Sequence, residues 1–182
     1  MSIAKRVEKY LESQRVPYRL HRHDYSEGSF NTAQAAQIDD AALAKAVLLR
    51  DEDFGYRLCV LPAQHKILRH TLNQIFDRHL ELVDEDELAE VFPDCAPGAV
   101  PALGQAYGLE VIWDPTLLAH ENIYLEAGDH EHLVVLRRND FERLMHGALS
   151  DAFSSKRKRH TFRRKGGRRS LASPGYALSE GL

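Results

Sequence analysis

The chain has 182 residues, 43% of them hydrophobic, and a net charge of −3, which suits one globular domain with a tail. No apolar run approaches the roughly 20 residues that a bilayer span needs, and the charged N-terminus MSIAKRVEKYLESQ is no secretory signal. Cys59 and Cys95 lie far apart and make neither a disulfide framework nor a CxxC metal site, so they read as reduced thiols of a cytoplasmic protein. The charge is unevenly spread: residues 1–150 hold 15 Lys and Arg against 25 Asp and Glu, a net −10. Residues 151–182 hold 9 Lys and Arg against Asp151 and Glu180, a net +7. An acidic body on a basic tail implies that the tail supplies the long-range attraction to a polyanion.

In chain order, residues 2–15 predict an amphipathic helix: Ser2 can cap it, and Ile3, Val7, Tyr10 and Leu11 recur at helical spacing. Pro17 ends it, and the alternating 18–23 (YRLHRH) predicts a strand. A loop over 24–30 leads to a short helix through Gln37, with Asn31 or Thr32 as its cap. The apolar runs 43–50 (LAKAVLLR) and 56–62 (YRLCVLP), joined by DEDFG, predict a hairpin, although Ala and Leu leave a helical alternative for the first run. Residues 66–79 and 84–91 predict helices, the second begun by Asp84 with Glu87 three residues on. The segment PDCAPGAVPALG is too rich in Pro and Gly for a regular element. Short strands are expected at 109–113, 122–126 and 132–137, then a last helix capped by Asn139 and running to about Met145. Interleaved strands and helices make the class mixed α/β. The domain is expected over 1–150, and 151–182 as a basic tail that is disordered when free.

Three segments carry chemistry. Lys45 sits among Leu43, Ala44, Ala46, Val47 and Leu48, so its ammonium either reaches solvent or lines a cavity, where it would suit a phosphate or a developing oxyanion. Gly98 between Pro97 and Pro101 makes a stiff loop, either a surface turn or a frame for backbone N–H donors. Asp129 and His130 follow Gly128 in a polar turn, where a histidine can move a proton and an aspartate can meet an α-ammonium or form the turn. No GxSxG, Walker or Rossmann pattern is present, and Ser29 and Thr32 have no evident base, so attack by water is expected over a covalent nucleophile.

In order and spacing, ALAKAVLL at Lys45, PGAVPALG from Pro97 to Gly104 and NIYLEAGDHEHLVVL with Gly128, Asp129 and His130 resemble the YbaK/ProX family. These are free-standing relatives of the bacterial prolyl-tRNA synthetase editing domain. The resemblance covers roughly residues 1–145 and leaves out the tail. It implies a mixed, barrel-like β-sheet flanked by helices, and hydrolysis of the ester that joins an amino acid to the terminal adenosine of tRNA, with help from the 2′-hydroxyl of that ribose. It implies Lys45, Gly98 and His130 as catalytic residues, and Ala46, Ala99, Val100, Pro101, Gly128 and Asp129 as the substrate pocket. Two departures stand out: Ala102 replaces a second proline common in the family loop, and Ala46 replaces a polar residue that many alanine-removing members carry after the lysine.

The expected partners are mischarged tRNA and an aminoacyl-tRNA synthetase, with no membrane. No cofactor and no metal is expected, although His21 with His23 and His130 with His132 share strand faces. Two rival readings remain: a non-catalytic sensor that binds an aminoacyl or nucleotide ligand in the same pocket, and a nucleic-acid binder driven by the tail alone.

Overall fold

A computed structural model describes residues 3–157. Its centre is the hairpin of β2 (Leu43–Arg50) and β3 (Tyr56–Pro62), in which Lys45 pairs with Leu61 and Leu48 with Leu58. The helical alternative for LAKAVLLR loses because both edges of β2 find ladder partners, and tertiary pairing outweighs the Ala and Leu preference. In the connecting turn Phe54, not Gly55, takes the left-handed conformation. Gly55 leaves room for the Asp51 carboxylate, whose Oδ2 a Cβ there would meet at 2.9 Å and whose Oδ1 accepts from Gly55 N–H at 2.7 Å.

Around this hairpin the main sheet adds β6 (Glu110–Trp113), parallel to β3, and β7 (Asn122–Glu126), parallel to β2. β8 (His132–Arg137) pairs antiparallel with β7, and β1 (Arg19–Arg22) with β8. Two short strands complete it: β5 (Glu81–Leu82) on β2 and β9 (Leu149–Ser150) on β6. The result is a mixed α/β fold in which a large mixed sheet is flanked by helices, as the sequence implies.

Both faces of the central strands are covered, which is why their apolar runs are continuous rather than alternating. Leu48, Leu58 and Val60 face a core with Val7, Leu11, Trp113 and Phe141. Their neighbours Leu49, Cys59 and Leu61 face a second core with Leu72, Leu80, Ile112 and Phe153.

The helices expected at 2–15 and 66–79 are shorter than their periodicity predicts, and several caps differ. α1 spans Lys5–Ser13 with Ala4 at its N-cap position, and Ser2, the expected cap, lies outside the described residues; Ala4 N–H donates to the Ala127 carbonyl at 2.7 Å and ties the start of α1 to the end of β7. α2 spans Ser29–Ala35 after Gly28, displacing the Asn31 or Thr32 cap, and α5 spans Arg138–Leu144 after Arg137, displacing Asn139. The expected helix 66–79 is divided: β4 (His65–Ile67) precedes α3 (Arg69–Phe76). Here β-pairing with β10 (Ser154–Lys156) captures residues that periodicity alone assigns to a helix. α4 (Glu85–Val91) begins as expected, with the Asp84 carboxylate accepting from Glu87 N–H at 2.9 Å.

The packed body also continues beyond residue 150. Phe153 is fully buried and β10 pairs with β4. The rest of the basic tail, 158–182, lies outside the described residues. Among the described residues no helix is long and apolar enough to cross a membrane.

Candidate active site

A cavity of about 80 Å³ opens between the start of β2, the α2 N-terminus, the Pro97–Pro101 loop and the end of β7. Lys45, Ala46, Gly98, Val100 and His130 line it, so five of the nine residues named from the sequence converge there. Gly28, Ser29, Thr32, Leu43, Ala44 and Glu126 line it as well.

Lys45 enters from β2 and is partly buried, and its ammonium donates to the carbonyl of Ala63, at 3.3 Å, and to that of His65. The solvent-face reading of this lysine is therefore displaced by the cavity reading. Burial, with a smaller contribution from Arg157, lowers its pKa from 10.5 to about 8. Its charge is thus poised near neutral pH, unlike that of a surface lysine.

The Pro97–Gly98 loop is a tight turn. Ala99 N–H donates to the Ala96 carbonyl at 2.9 Å, and Gly98 has φ +80°. Proline at the second position and a left-handed glycine at the third make the type II turn signature. The turn is packed rather than superficial, with Ala99 and Ala102 fully buried. Two bonds fix it to the β7–β8 connection: Ala96 N–H to the Gly128 carbonyl at 2.8 Å, and His130 Nε2 to the Pro97 carbonyl at 2.8 Å. A carbonyl only accepts, so His130 Nε2 carries its proton and Nδ1 is the acceptor in the neutral ring. His130 is buried at 4% exposure, against the Tyr25 ring at 5.4 Å, so it is no solvated turn histidine.

Glu126 adds a buried carboxyl group to the cavity. Burial raises its pKa, opposed by the backbone N–H groups of Gly128 at 3.3 Å and His130 at 3.2 Å, both held by Oε1. An acid in the last position of NIYLE, directly before AGDH, is the one sequence signal for it. Ser29 and Thr32 arrive through α2, and the Thr32 hydroxyl accepts from Ser26 Oγ at 3.2 Å. Neither cysteine is a thiolate near neutral pH, since burial pushes Cys59 up to about 12 and Cys95 up to about 11.

Ala99, Pro101, Gly128 and Asp129 do not line the cavity. Asp129 forms its turn: Oδ1 accepts from Glu131 N–H at 3.0 Å and His132 N–H at 2.9 Å, and Oδ2 meets His132 Nδ1 at 2.8 Å. Gly128 supports the site from behind. Its φ is +113°, and a Cβ there would stand 3.0 Å from Ala4 Cβ and 3.2 Å from Cys95 Sγ. Gly128→Ala is expected to lose about 2–4 kcal/mol from backbone strain plus overpacking. Gly108→Ala, at φ +70° with open space around it, is expected to lose only the strain part. Urea denaturation of the two variants checks this, and equal losses would contradict the close approach.

The described residues thus form a mixed α/β body with a lysine-lined cavity. The chain belongs to the aminoacyl-tRNA editing domain family, whose model matches residues 29–144. Solved structures share the fold. One is the crystal structure of the hypothetical protein APE2540, at 18% identity and TM-score 0.72, with 83% of this chain and 100% of that one covered. Another is described as a candidate trans-editing enzyme for prolyl-tRNA synthetase, at 19% identity and TM-score 0.71, covering 84% and 96%. A third is a larger protein from Marinobacter aquaeolei VT8, described as a candidate signal transduction protein. It matches at 21% identity and TM-score 0.67, with 83% of this chain but 30% of that one covered. No curated protein sequence matches the chain.

Proposed function

We propose that this protein is a trans-acting deacylase that hydrolyses the ester of mischarged aminoacyl-tRNA and releases a small amino acid. The observation that carries the reading is Lys45, half-buried in the wall of a small cavity that Glu126 and His130 also line, in a chain of the editing family. An aminoacyl-adenosine end has a cationic α-ammonium, a carbonyl that becomes an oxyanion on attack, and a nearby phosphate. Lys45 suits the negative charge and Glu126 the ammonium. Both thiols are protonated, and among the described residues neither the Ser29 nor the Thr32 hydroxyl is hydrogen-bonded directly to a carboxylate or an imidazole, so water is the nucleophile in this reading. The 2′-hydroxyl of the terminal ribose and the framed cavity position it, and positioning supplies much of the rate for an already activated ester.

The cavity is small, about 80 Å³, which suits side chains the size of alanine, serine, threonine or cysteine. Each extra methylene is excluded by about 10- to 200-fold.

The experiment is release of labelled amino acid from a panel of mischarged tRNAs. Release from small-residue esters that outpaces release from prolyl or valyl esters supports the deacylase. No release from any member by folded protein turns the reading to the sensor, and calorimetry with non-hydrolysable aminoacyl-adenosine analogues then asks what the pocket binds.

The tail joins this reading as the contact to tRNA phosphates. Removal of residues 158–182, which carry 7 of the 24 Lys and Arg, is expected to raise KM for tRNA at least tenfold and to flatten its salt dependence, with kcat preserved. An unchanged salt slope would remove the tail from tRNA contact.

A further inference from the structure

The family match ends at residue 144, but the chain goes on to build part of the wall behind Lys45. The two carbonyls that seat its ammonium belong to Ala63, in the tight link between β3 and β4, and to His65, the first residue of β4. On one side that link is tied to β2 by Ala63 N–H donating to the Leu43 carbonyl at 2.8 Å. On the other side it depends on β10, the ladder partner of β4 among the described residues. Arg157 N–H donates to the Gln64 carbonyl at 2.9 Å, inside the link itself, and Leu68 N–H donates to the Phe153 carbonyl at 2.9 Å.

Side chains reinforce the same joint. The Ser154 hydroxyl donates to Asp114 Oδ2, and the ring Nδ1 of His65 lies 2.7 Å from Ser154 Oγ. A hydroxyl has one proton, so Nδ1–H of His65 must be the donor to Ser154. Asp114 is 1% exposed, and its other oxygen accepts from Thr116 N–H at 2.9 Å and Thr116 Oγ1 at 2.6 Å. The serine is therefore a bridge between a rigidly held buried carboxylate and the residue whose own carbonyl takes the Lys45 ammonium.

We propose that the C-terminal strand belongs to the site: Ser154, wedged between Asp114 and His65, is a positioning residue that fixes the His65 carbonyl and thereby the direction of the Lys45 ammonium. This rests on the reading that Lys45 serves deacylation. Without the bridge, a buried carboxylate oxygen loses its donor, the His65 ring is released, and the link relaxes. The ammonium then turns toward water, escapes desolvation and regains the proton affinity of an ordinary lysine. The charged and titratable groups that act on it are Arg157 and His65, and His65 is itself flanked by Asp114 and Lys156; Glu126 and His130 line the same cavity as Lys45.

The test uses the full chain with Ser154→Ala, Ser154→Thr, His65→Leu and Lys45→Ala. It reads kcat and KM for the best tRNA substrate, and the titration of Lys45 by NMR of lysine labelled at Cε. Ser154→Ala and His65→Leu are expected to lower kcat about tenfold or more with KM nearly unchanged, as misplaced groups do. They are expected to move the Lys45 titration up from about 8 toward 10.5. Ser154→Thr keeps the hydroxyl and is expected to recover most of both. Because His65→Leu leaves Ser154 on Asp114, it keeps the question open to measurement even if Ser154→Ala does not fold. Wild-type kcat and an unmoved titration in either variant, with Lys45→Ala inactive, overturn the proposal. Equal loss in the alanine and threonine variants with an unmoved titration marks a folding contribution only and overturns it too. A fully active Lys45→Ala would remove the underlying reading instead.

Discussion

Lys45→Ala is expected to lower deacylation about 100- to 1000-fold, the scale seen when a group that meets developing oxyanion charge is removed. The side chain works from a seat that already holds its charge, so no reorganisation is needed when the substrate arrives. Its proton affinity gives the prediction a second signature. The ammonium is present below about 8 and is lost as pH rises through that value. Turnover that needs the cation should therefore fall above about pH 8, well before an ordinary lysine titrates. Lys45→Arg, charged across this range, should lose the falling limb even where its bulk lowers the rate. A pH–rate profile that declines alike in wild type and Lys45→Arg would assign the limb to another group. A Lys45→Ala protein with full turnover would end the catalytic reading of this residue.

Phe153→Ala is expected to destabilise the fold by about 3–5 kcal/mol, the cost of truncating a fully buried phenylalanine. The ring completes the core made by Leu49, Cys59, Leu61, Leu72, Leu80 and Ile112. At roughly 2–4 °C per kcal/mol for a chain of this size, the melting temperature should drop by about 10 °C. Urea denaturation reads the same quantity. A loss below about 1 kcal/mol would mean that the segment after residue 150 only rests on the body. The residue lies nine positions past the end of the family match, so a large loss would make this C-terminal segment a structural part of this particular chain. Surviving protein should also show weakened turnover, because the same residue anchors the strand that closes the Lys45 seat.

Much of the site is legible in the amino-acid sequence. A lysine inside an apolar run, a Pro-Gly turn and a histidine after a glycine each have a local physical meaning, and their order matches a family. Lys45, Ala46, Gly98, Val100 and His130 line one cavity. Asp129 and Gly128 are less legible, because the same residue types build turns and close contacts as readily as they bind substrate. Only the neighbours of the Asp129 carboxylate and the space around Gly128 separate the two roles. Glu126, Ser29 and Thr32 escape sequence reasoning as cavity residues, because nothing in a single strand end or helix start tells which side chains a distant loop will enclose.

By itself, the sequence determined what depends on near neighbours: the Asp84 cap, the Pro97–Gly98 turn, and the strands at 122–126 and 132–137. Periodicity, capping and turn chemistry act within a few residues, so they can be read along the chain. The tertiary structure decided what depends on partners far away in sequence. It drew His65–Ile67 out of a helical pattern into pairing with Ser154–Lys156, some 90 residues on, and it buried Phe153 at the edge of a basic tail. It also lowered the proton affinity of Lys45, because desolvation depends on which elements close around the ammonium.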